Sequence, residues 1–93
     1  MANLKKGQSV TLADTTAVEY VLVQATSGAD CIFRTAATNS GTIQFAVSVK
    51  GVAPSFTGAT AYAADKPVFL RVGRNESLWA KASGASQSFS SEY

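Results

Sequence analysis

Apolar and polar residues alternate along much of this chain with a period of two, which is the period of a β-strand. The clearest alternation is in TIQFAVSVKG, where the apolar residues that share one side of an extended backbone are Ile43, Phe45, Val47 and Val49. No stretch keeps a helical period for long, and turn residues separate the alternating segments at short intervals. The pattern predicts an all-β protein: a single small antiparallel β-sandwich, or a small barrel, of about six or seven strands.

The predicted strands follow one another with short turns between them. They are Ser9–Leu12, Val18–Thr26, Cys31–Ala37, Thr42–Lys50, Val68–Val72, Leu78–Ala82 and Gln87–Tyr93. Residues 51–67 contain Gly, Pro and small residues, which indicates a long loop or a weak strand anchored by Phe56 and Tyr62. The apolar positions predict one core that contains Ile43, Phe45, Val47, Val49, Val68, Leu70, Val72 and Leu78.

The segment VFLRVGRNESLWAKASG, residues 68–84, predicts a hairpin with a connection at Gly73–Ser77. Pairing across that connection gives the core face three pairs: Val72 with Leu78, Leu70 with Ala80, and Val68 with Ala82. The opposite face then carries two pairs in which a cation stacks on a ring, namely Arg71 with Trp79 and Lys81 with Phe69.

This aromatic and basic face allows two interpretations. A second sheet could cover it, in which case Trp79 belongs to the core. Alternatively, it is a surface for contact with another protein, because Trp and Arg are favoured at the centres of interfaces. The sequence leaves the choice open.

Composition and charge limit the partners. The chain has 93 residues, enough for one domain, here residues 9–93, preceded by a flexible arm of residues 1–8. Lys5 and Lys6 belong to that arm, which either orders on contact with a partner or is a frayed terminus. Only 15% of residues are charged, the net charge is +2, and the basic residues are dispersed, which argues against nucleic-acid binding.

The residues needed for most catalytic sites are missing from the sequence. There is no histidine, the single Cys31 cannot form an internal disulfide or a zinc site, and most of the acidic residues lie in or beside turns. We therefore expect no enzyme activity, cofactor, metal or small-molecule substrate. No apolar run resembles a signal peptide or a membrane span, so cytoplasmic synthesis without membrane insertion is expected.

Two segments resemble small β-rich virion proteins of tailed bacteriophages. These are MANLKKGQSVTL, residues 1–12, and VFLRVGRNESLWAKASGASQSFSSEY, residues 68–93. Such proteins often end on a Leu-aromatic-x-Lys/Arg-Ala-Ser-Gly stretch, here LWAKASG, followed by a serine-rich last strand. The likeness transfers no individual site residue.

The resemblance implies a non-enzymatic capsid decoration or cement protein, made in the host cytoplasm and bound to the outer capsid surface. The partners that the resemblance implies are the major capsid protein and further copies of the chain itself, commonly in homotrimers. The alternatives are a tail, fibre or head–tail adaptor protein, and a carbohydrate-binding host-recognition module that uses Trp79 and Tyr62. From the predicted face and arm, the candidate protein-contact residues are Lys5, Lys6, Phe69, Arg71, Trp79 and Lys81.

Overall fold

The computed structural model describes residues 2–23 and 28–92, and within them every regular element is a β-strand. The all-β prediction is confirmed, but the described residues form nine strands rather than six or seven. The two additional strands lie in the predicted arm and in the predicted loop. The strands are β1 (Ala2–Leu4), β2 (Ser9–Leu12), β3 (Val18–Leu22), β4 (Gly28–Thr35), β5 (Ile43–Val49), β6 (Ala61–Tyr62), β7 (Pro67–Gly73), β8 (Glu76–Ala82) and β9 (Gln87–Ser91).

The strands form two sheets. A five-stranded sheet has the order β1-β3-β8-β5-β6, and a four-stranded sheet has the order β2-β9-β4-β7. Every pairing in them is antiparallel except that of β1 with β3, which is parallel. Most neighbours in the sheets are distant in sequence, so the order depends on long-range packing.

The prediction that β7 and β8 pair as a hairpin is wrong. Strand β7 pairs with β4, which puts Leu70 opposite Cys31. Strand β8 pairs with β3 and β5, which puts Ala80 opposite Val18 and Phe45. The connection between β7 and β8 carries the chain from one sheet to the other, and its Asn75 has a φ of 69°. None of the three predicted cross-strand pairs forms.

The core lies between the two sheets and is rich in aromatic rings. Phe45 of β5 is 5.1 Å from the Phe89 ring of β9 and 6.0 Å from the Phe33 ring of β4, measured between centroids. Of the predicted core residues, Val47 and Leu70 are half-buried, and the fully buried ones are Ile43, Phe45, Val68, Val72 and Leu78.

Val49 is the exception among the predicted core residues, because 52% of its surface is exposed. It is the last residue of β5 and lies opposite Glu76, the first residue of β8. The alternation of apolar and polar residues in β5 therefore extends one apolar position, Val49, beyond the core.

The predicted arm contains a strand. Leu4 of β1 is buried in the core, and Lys5 and Lys6 lie in the turn that leads to β2. Gly7 takes a φ of 80° there and donates its N–H to the Ser91 carbonyl. An arm that orders on contact with a partner stays a prediction, and Met1 lies outside the described residues. Residues 24–26, at the end of the predicted strand Val18–Thr26, and Tyr93, at the end of the last predicted strand, also lie outside the described residues.

Candidate functional site

The predicted contact residues of β7 and β8 lie on two different surfaces. In β7 and β8 alike, the even-numbered residues point towards the shared core and the odd-numbered residues point outwards. Phe69 and Arg71 are therefore on the outer face of the four-stranded sheet, whereas Trp79 and Lys81 are on the outer face of the five-stranded sheet. The two pairs of residues therefore belong to different sheets. The predicted stacking of Arg71 on Trp79 and of Lys81 on Phe69 is wrong.

Trp79 is half-buried on the outer face of its sheet. It lies between Glu19 of β3 and Ala46 of β5, its two neighbours in register. The indole Nε1 is buried and has no hydrogen-bond partner. Something therefore shields one edge of the ring from water.

The segment from Gly51 to Ala59 crosses the outer face of the five-stranded sheet. At one end, the Gly51 N–H donates to the Glu19 carboxylate over 2.7 Å. At the other end, Gln44 Nε2 donates to the Ala59 carbonyl over 3.1 Å. Since β8 lies between the strands that carry Glu19 and Gln44, the segment runs across β8 and past Trp79. We call residues 51–59 the crossing loop.

Lys81 takes part in the contact with the crossing loop. Its Nζ lies 5.7 Å from the centroid of the Phe56 ring, so the cation stacks on Phe56 rather than on Phe69. The crossing loop therefore contacts the outer face that carries Trp79, at Lys81 of β8 and at Glu19 of β3, an arrangement that neither sequence-based interpretation proposed.

Glu19 fixes the start of the crossing loop. Its Oε2 accepts hydrogen bonds from the Gly51 N–H and from the Ser77 hydroxyl. These two bonds, that of Gly51 first, favour the ionised carboxylate and lower the pKa of Glu19. A charged side chain thereby joins β3, β8 and the loop.

The other outer face carries an exposed apolar patch made of Phe69 and Ile32. The two residues are opposite each other in register on β7 and β4, with 69% and 37% of their surfaces exposed. On one side, Arg71 pairs with Asp30 over 3.3 Å. Apolar residues within a charged border are the arrangement found at protein–protein contacts.

Arg34 forms the charged border on the other side of the apolar patch. It pairs with Asp65 over 3.1 Å and with Glu92 over 3.4 Å. All three side chains are largely exposed, so these ion pairs contribute little to the stability of the fold. They do, however, place both signs of charge around the patch.

Lys5 and Lys6 are not close to the apolar patch in the strand order. Their turn leads into β2, which lies at the opposite edge of the four-stranded sheet from β7. Both side chains are exposed. The six predicted contact residues therefore belong to three separate parts of the surface.

Ile32 is a contact candidate that the sequence analysis missed. It lies between Cys31 and Phe33, which are buried, so the local apolar run hides its orientation. The signal was in the flanking residues: Asp30 and Arg34 have the same parity as Ile32, and charged residues mark the outer face of a strand.

The part of the chain that the structure describes contains no cavity and no cluster of three or more metal-ligating acidic, cysteine or histidine residues. Nor does it contain a helix that could cross a membrane. Cys31 is buried, and its burial raises the pKa of the thiol, which lowers the reactivity of the sulfur.

Comparison with known proteins gives no match to a family model, to a curated protein or to a solved structure.

Proposed function

We propose that this chain is a non-enzymatic structural protein of a tailed-phage virion that binds the outer capsid as a decoration or cement protein. The observation that carries the proposal is the apolar patch, in which Phe69 leaves 69% of its surface in water beside Ile32. A large ring exposed on a flat sheet favours contact with another protein. The resemblance of residues 1–12 and 68–93 to phage virion proteins names the class of partner.

The two sheets are inferred to pack as an antiparallel β-sandwich. Contacts between rings of opposite sheets support this arrangement, since Tyr20 and Phe45 both meet Phe89 edge to face. A sandwich would present two broad outer faces, and the crossing loop lies on one of them. The other, with the apolar patch, is the face that we assign to the capsid.

Low charge supports binding to a protein lattice. Only 15% of residues are charged, against about 25% in an average soluble domain. Hydroxyl groups such as the bonded pair of Thr11 and Ser88 occupy much of the patch-bearing sheet near β2 and β9. The part of the face near β2 and β9 therefore costs little to desolvate, because few ions there lose their hydration on contact.

Each bound copy would bridge neighbouring major capsid subunits. A single contact of this size is weak, but many copies on one shell act together and raise the free energy needed to separate the subunits. The stabilisation would grow with the fraction of sites occupied.

A tail, fibre or head–tail adaptor role is the nearest alternative, since it would use the same kind of surface. The carbohydrate-binding alternative has less support. It needs exposed aromatic rings, but Trp79 lies beside the crossing loop and Tyr62 packs edge-on against Phe45 at 6.0 Å.

Binding to shells that lack the chain tests the proposal. Purified wild-type protein is added to empty particles of the phage that encodes it, and the bound fraction is measured by sedimentation and gel densitometry. We expect saturable binding and heat-stabilised particles, with Phe69→Ala binding at least tenfold more weakly. Val49→Ala, which truncates another exposed apolar residue, on the other sheet, should bind like the wild type. Incorporation into tails, with no binding to shells, would favour the alternative.

A further inference from the structure

Strand β7 is an unusually long open edge for this protein. It ends the four-stranded sheet and has seven residues, whereas β1, β2 and β6, at the other sheet edges, have three, four and two. Within the described residues, no strand pairs with β7 on the side away from β4. Long open edges expose backbone donors and acceptors that can pair with another strand.

The direction of each backbone group in β7 follows from its register with β4. The Thr35 N–H donates to the Lys66 carbonyl over 3.0 Å, which makes this a hydrogen-bonded pair of the antiparallel ladder. Such pairs alternate along the ladder, so Val68 and Leu70 also direct their backbone groups to β4. Phe69 and Arg71 therefore direct their N–H and C=O groups to the open edge.

The bond made by Gly73 agrees with this alternation. As the next odd-numbered residue, Gly73 should also point away from β4, and its N–H donates to the Glu76 carboxylate over 2.7 Å. Pro67, at the other end, lacks an N–H but keeps an outward carbonyl. The backbone N–H and C=O groups that remain free to pair with another strand are therefore mainly those of Phe69 and Arg71, in the middle of β7.

A second copy of the strand fits this edge in one register better than in others. With two β7 strands antiparallel, placing Phe69 opposite Arg71 aligns all seven residues end to end, Pro67 opposite Gly73. The outward groups of Phe69 and Arg71 then form hydrogen-bonded pairs. Moving the axis by one residue in either direction leaves only five residues of each strand paired. One of these registers also puts two Arg71 side chains opposite each other, which is unfavourable.

The side chains are self-complementary in the same register. On the outer face, each Phe69 ring lies beside an Arg71 guanidinium of the other copy, a favourable cation–ring pair. On the inner face, Leu70 meets Leu70 at the axis, and Val68 meets Val72. Leu70 is only half-buried in the single chain, so the contact would cover its remaining surface.

We propose that two copies of this chain associate through their β7 edges, antiparallel about a two-fold axis at Leu70, with Phe69 opposite Arg71. The contact joins the two four-stranded sheets into one continuous sheet. It does not depend on a virion role, and its two-fold symmetry distinguishes it from the trimer that the resemblance implies.

Sedimentation equilibrium over a range of concentrations tests the association. The wild type should be a dimer that dissociates on dilution. Phe69→Arg places two guanidinium groups together at each pair and should raise the dissociation constant at least tenfold. Val49→Arg makes the same change at an exposed strand residue of the other sheet and should leave the dimer intact. A wild type that stays monomeric at millimolar concentration, or a trimer unaffected by Phe69→Arg, would overturn the proposal.

Disulfide cross-linking tests the register. Cys31 is opposite Leu70, so it is first replaced by alanine to remove the native thiol. Hydrogen-bonded antiparallel pairs bring Cα atoms to about 5.5 Å, within the range that a disulfide spans. Mixed Phe69→Cys and Arg71→Cys proteins should therefore oxidise to a covalent dimer that keeps one native Phe69 and Arg71 pair. Absence of that dimer, or faster self-linking of Phe69→Cys alone, would overturn the pairing.

Discussion

Phe45 lies at the centre of the contacts that join the two sheets. Its ring stacks on Phe33 with planes 13° apart and meets Phe89 and Tyr62 edge to face. Only 6% of its surface is exposed. Truncating this side chain would remove buried apolar area from both sheets at once, so its cost should exceed that of any exposed apolar residue.

Phe45→Ala should lower the free energy of unfolding by about 3 to 5 kcal/mol, because it leaves a cavity between rigid sheets. Urea denaturation followed by tryptophan fluorescence measures the change. Val49→Ala removes an apolar side chain from the exposed end of the same strand and should cost about 0.5 kcal/mol or less. A loss below about 1 kcal/mol for Phe45→Ala would place its ring outside the core.

Glu19 should make part of the free energy of unfolding depend on pH in acidic solution. The hydrogen bonds from Gly51 and Ser77 put its folded pKa below the ordinary value of 4.5. A carboxyl whose pKa is lowered by folding stabilises the fold above its unfolded pKa, and that contribution is lost as the pH falls through the folded pKa. The contribution of the Glu19 carboxylate to the free energy of unfolding should therefore be complete at neutral pH and should decline below about pH 4.5.

Comparison of the wild type with Glu19→Gln isolates this carboxyl from Asp14, whose pKa is also lowered, by bonds from Thr16. The difference in free energy of unfolding should be constant from neutral pH down to about the ordinary pKa and should shrink in more acidic solution. Urea denaturation at several pH values gives the difference. An equal difference at neutral and strongly acidic pH would show that the carboxylate charge makes no contribution.

Strands β7 and β8 explain which parts of the fold the sequence could predict. A hairpin in one sheet and a connection between two sheets that share a core both direct the even-numbered residues inwards. Alternation therefore identified Val68, Val72 and Leu78 as buried under either arrangement. It could not show that the outward residues separate onto opposite faces, because that depends on pairing with β4, β3 and β5, which are distant in sequence.

For the candidate surface, too, the sequence could predict which residues point outwards but not which strands lie beside each other. The exposure of Phe69 and Arg71 follows from their parity, so two of the contact residues share a face as expected. Ile32 joins them only through the register of β4 with β7. The crossing loop beside Trp79 has no periodic signal. Its path is fixed by a hydrogen bond from its Gly51 N–H to Glu19 of β3 and by one from Gln44 of β5 to its Ala59 carbonyl.

Trp79→Ala should destabilise the monomer, since the ring is half-buried between Glu19 and Ala46 beside the crossing loop. The expected loss is about 1 to 3 kcal/mol, less than for a fully buried ring. Phe69→Ala is the matched control and should cost about 0.5 kcal/mol or less in a dilute monomer. Chemical denaturation followed by circular dichroism measures both. Unchanged stability for Trp79→Ala would mean that the loop does not depend on the indole.

The first strand connects the two sheets into one fold. Residues Ala2–Leu4 pair in parallel with β3 of one sheet, and the following turn leads directly to β2 of the other. Three residues carry too little alternation to predict a strand, and the parallel pairing is a long-range contact that local pattern cannot reveal. For that reason the sequence indicated an arm where the structure has β1.

Leu4→Ala decides between a detached arm and an integral strand. If β1 is part of the fold, the substitution removes a side chain with 0% exposure and should cost about 2 to 5 kcal/mol, because the cavity opens beside β3. Lys5→Ala, at the exposed neighbouring position, should change the free energy of unfolding by about 0.5 kcal/mol or less. Urea denaturation of the two variants at one low protein concentration keeps association from contributing. Equal stability of both variants would instead identify residues 1–8 as an arm that acquires its order from a partner, and the binding contribution of Lys5 and Lys6 would then be measured on capsid shells.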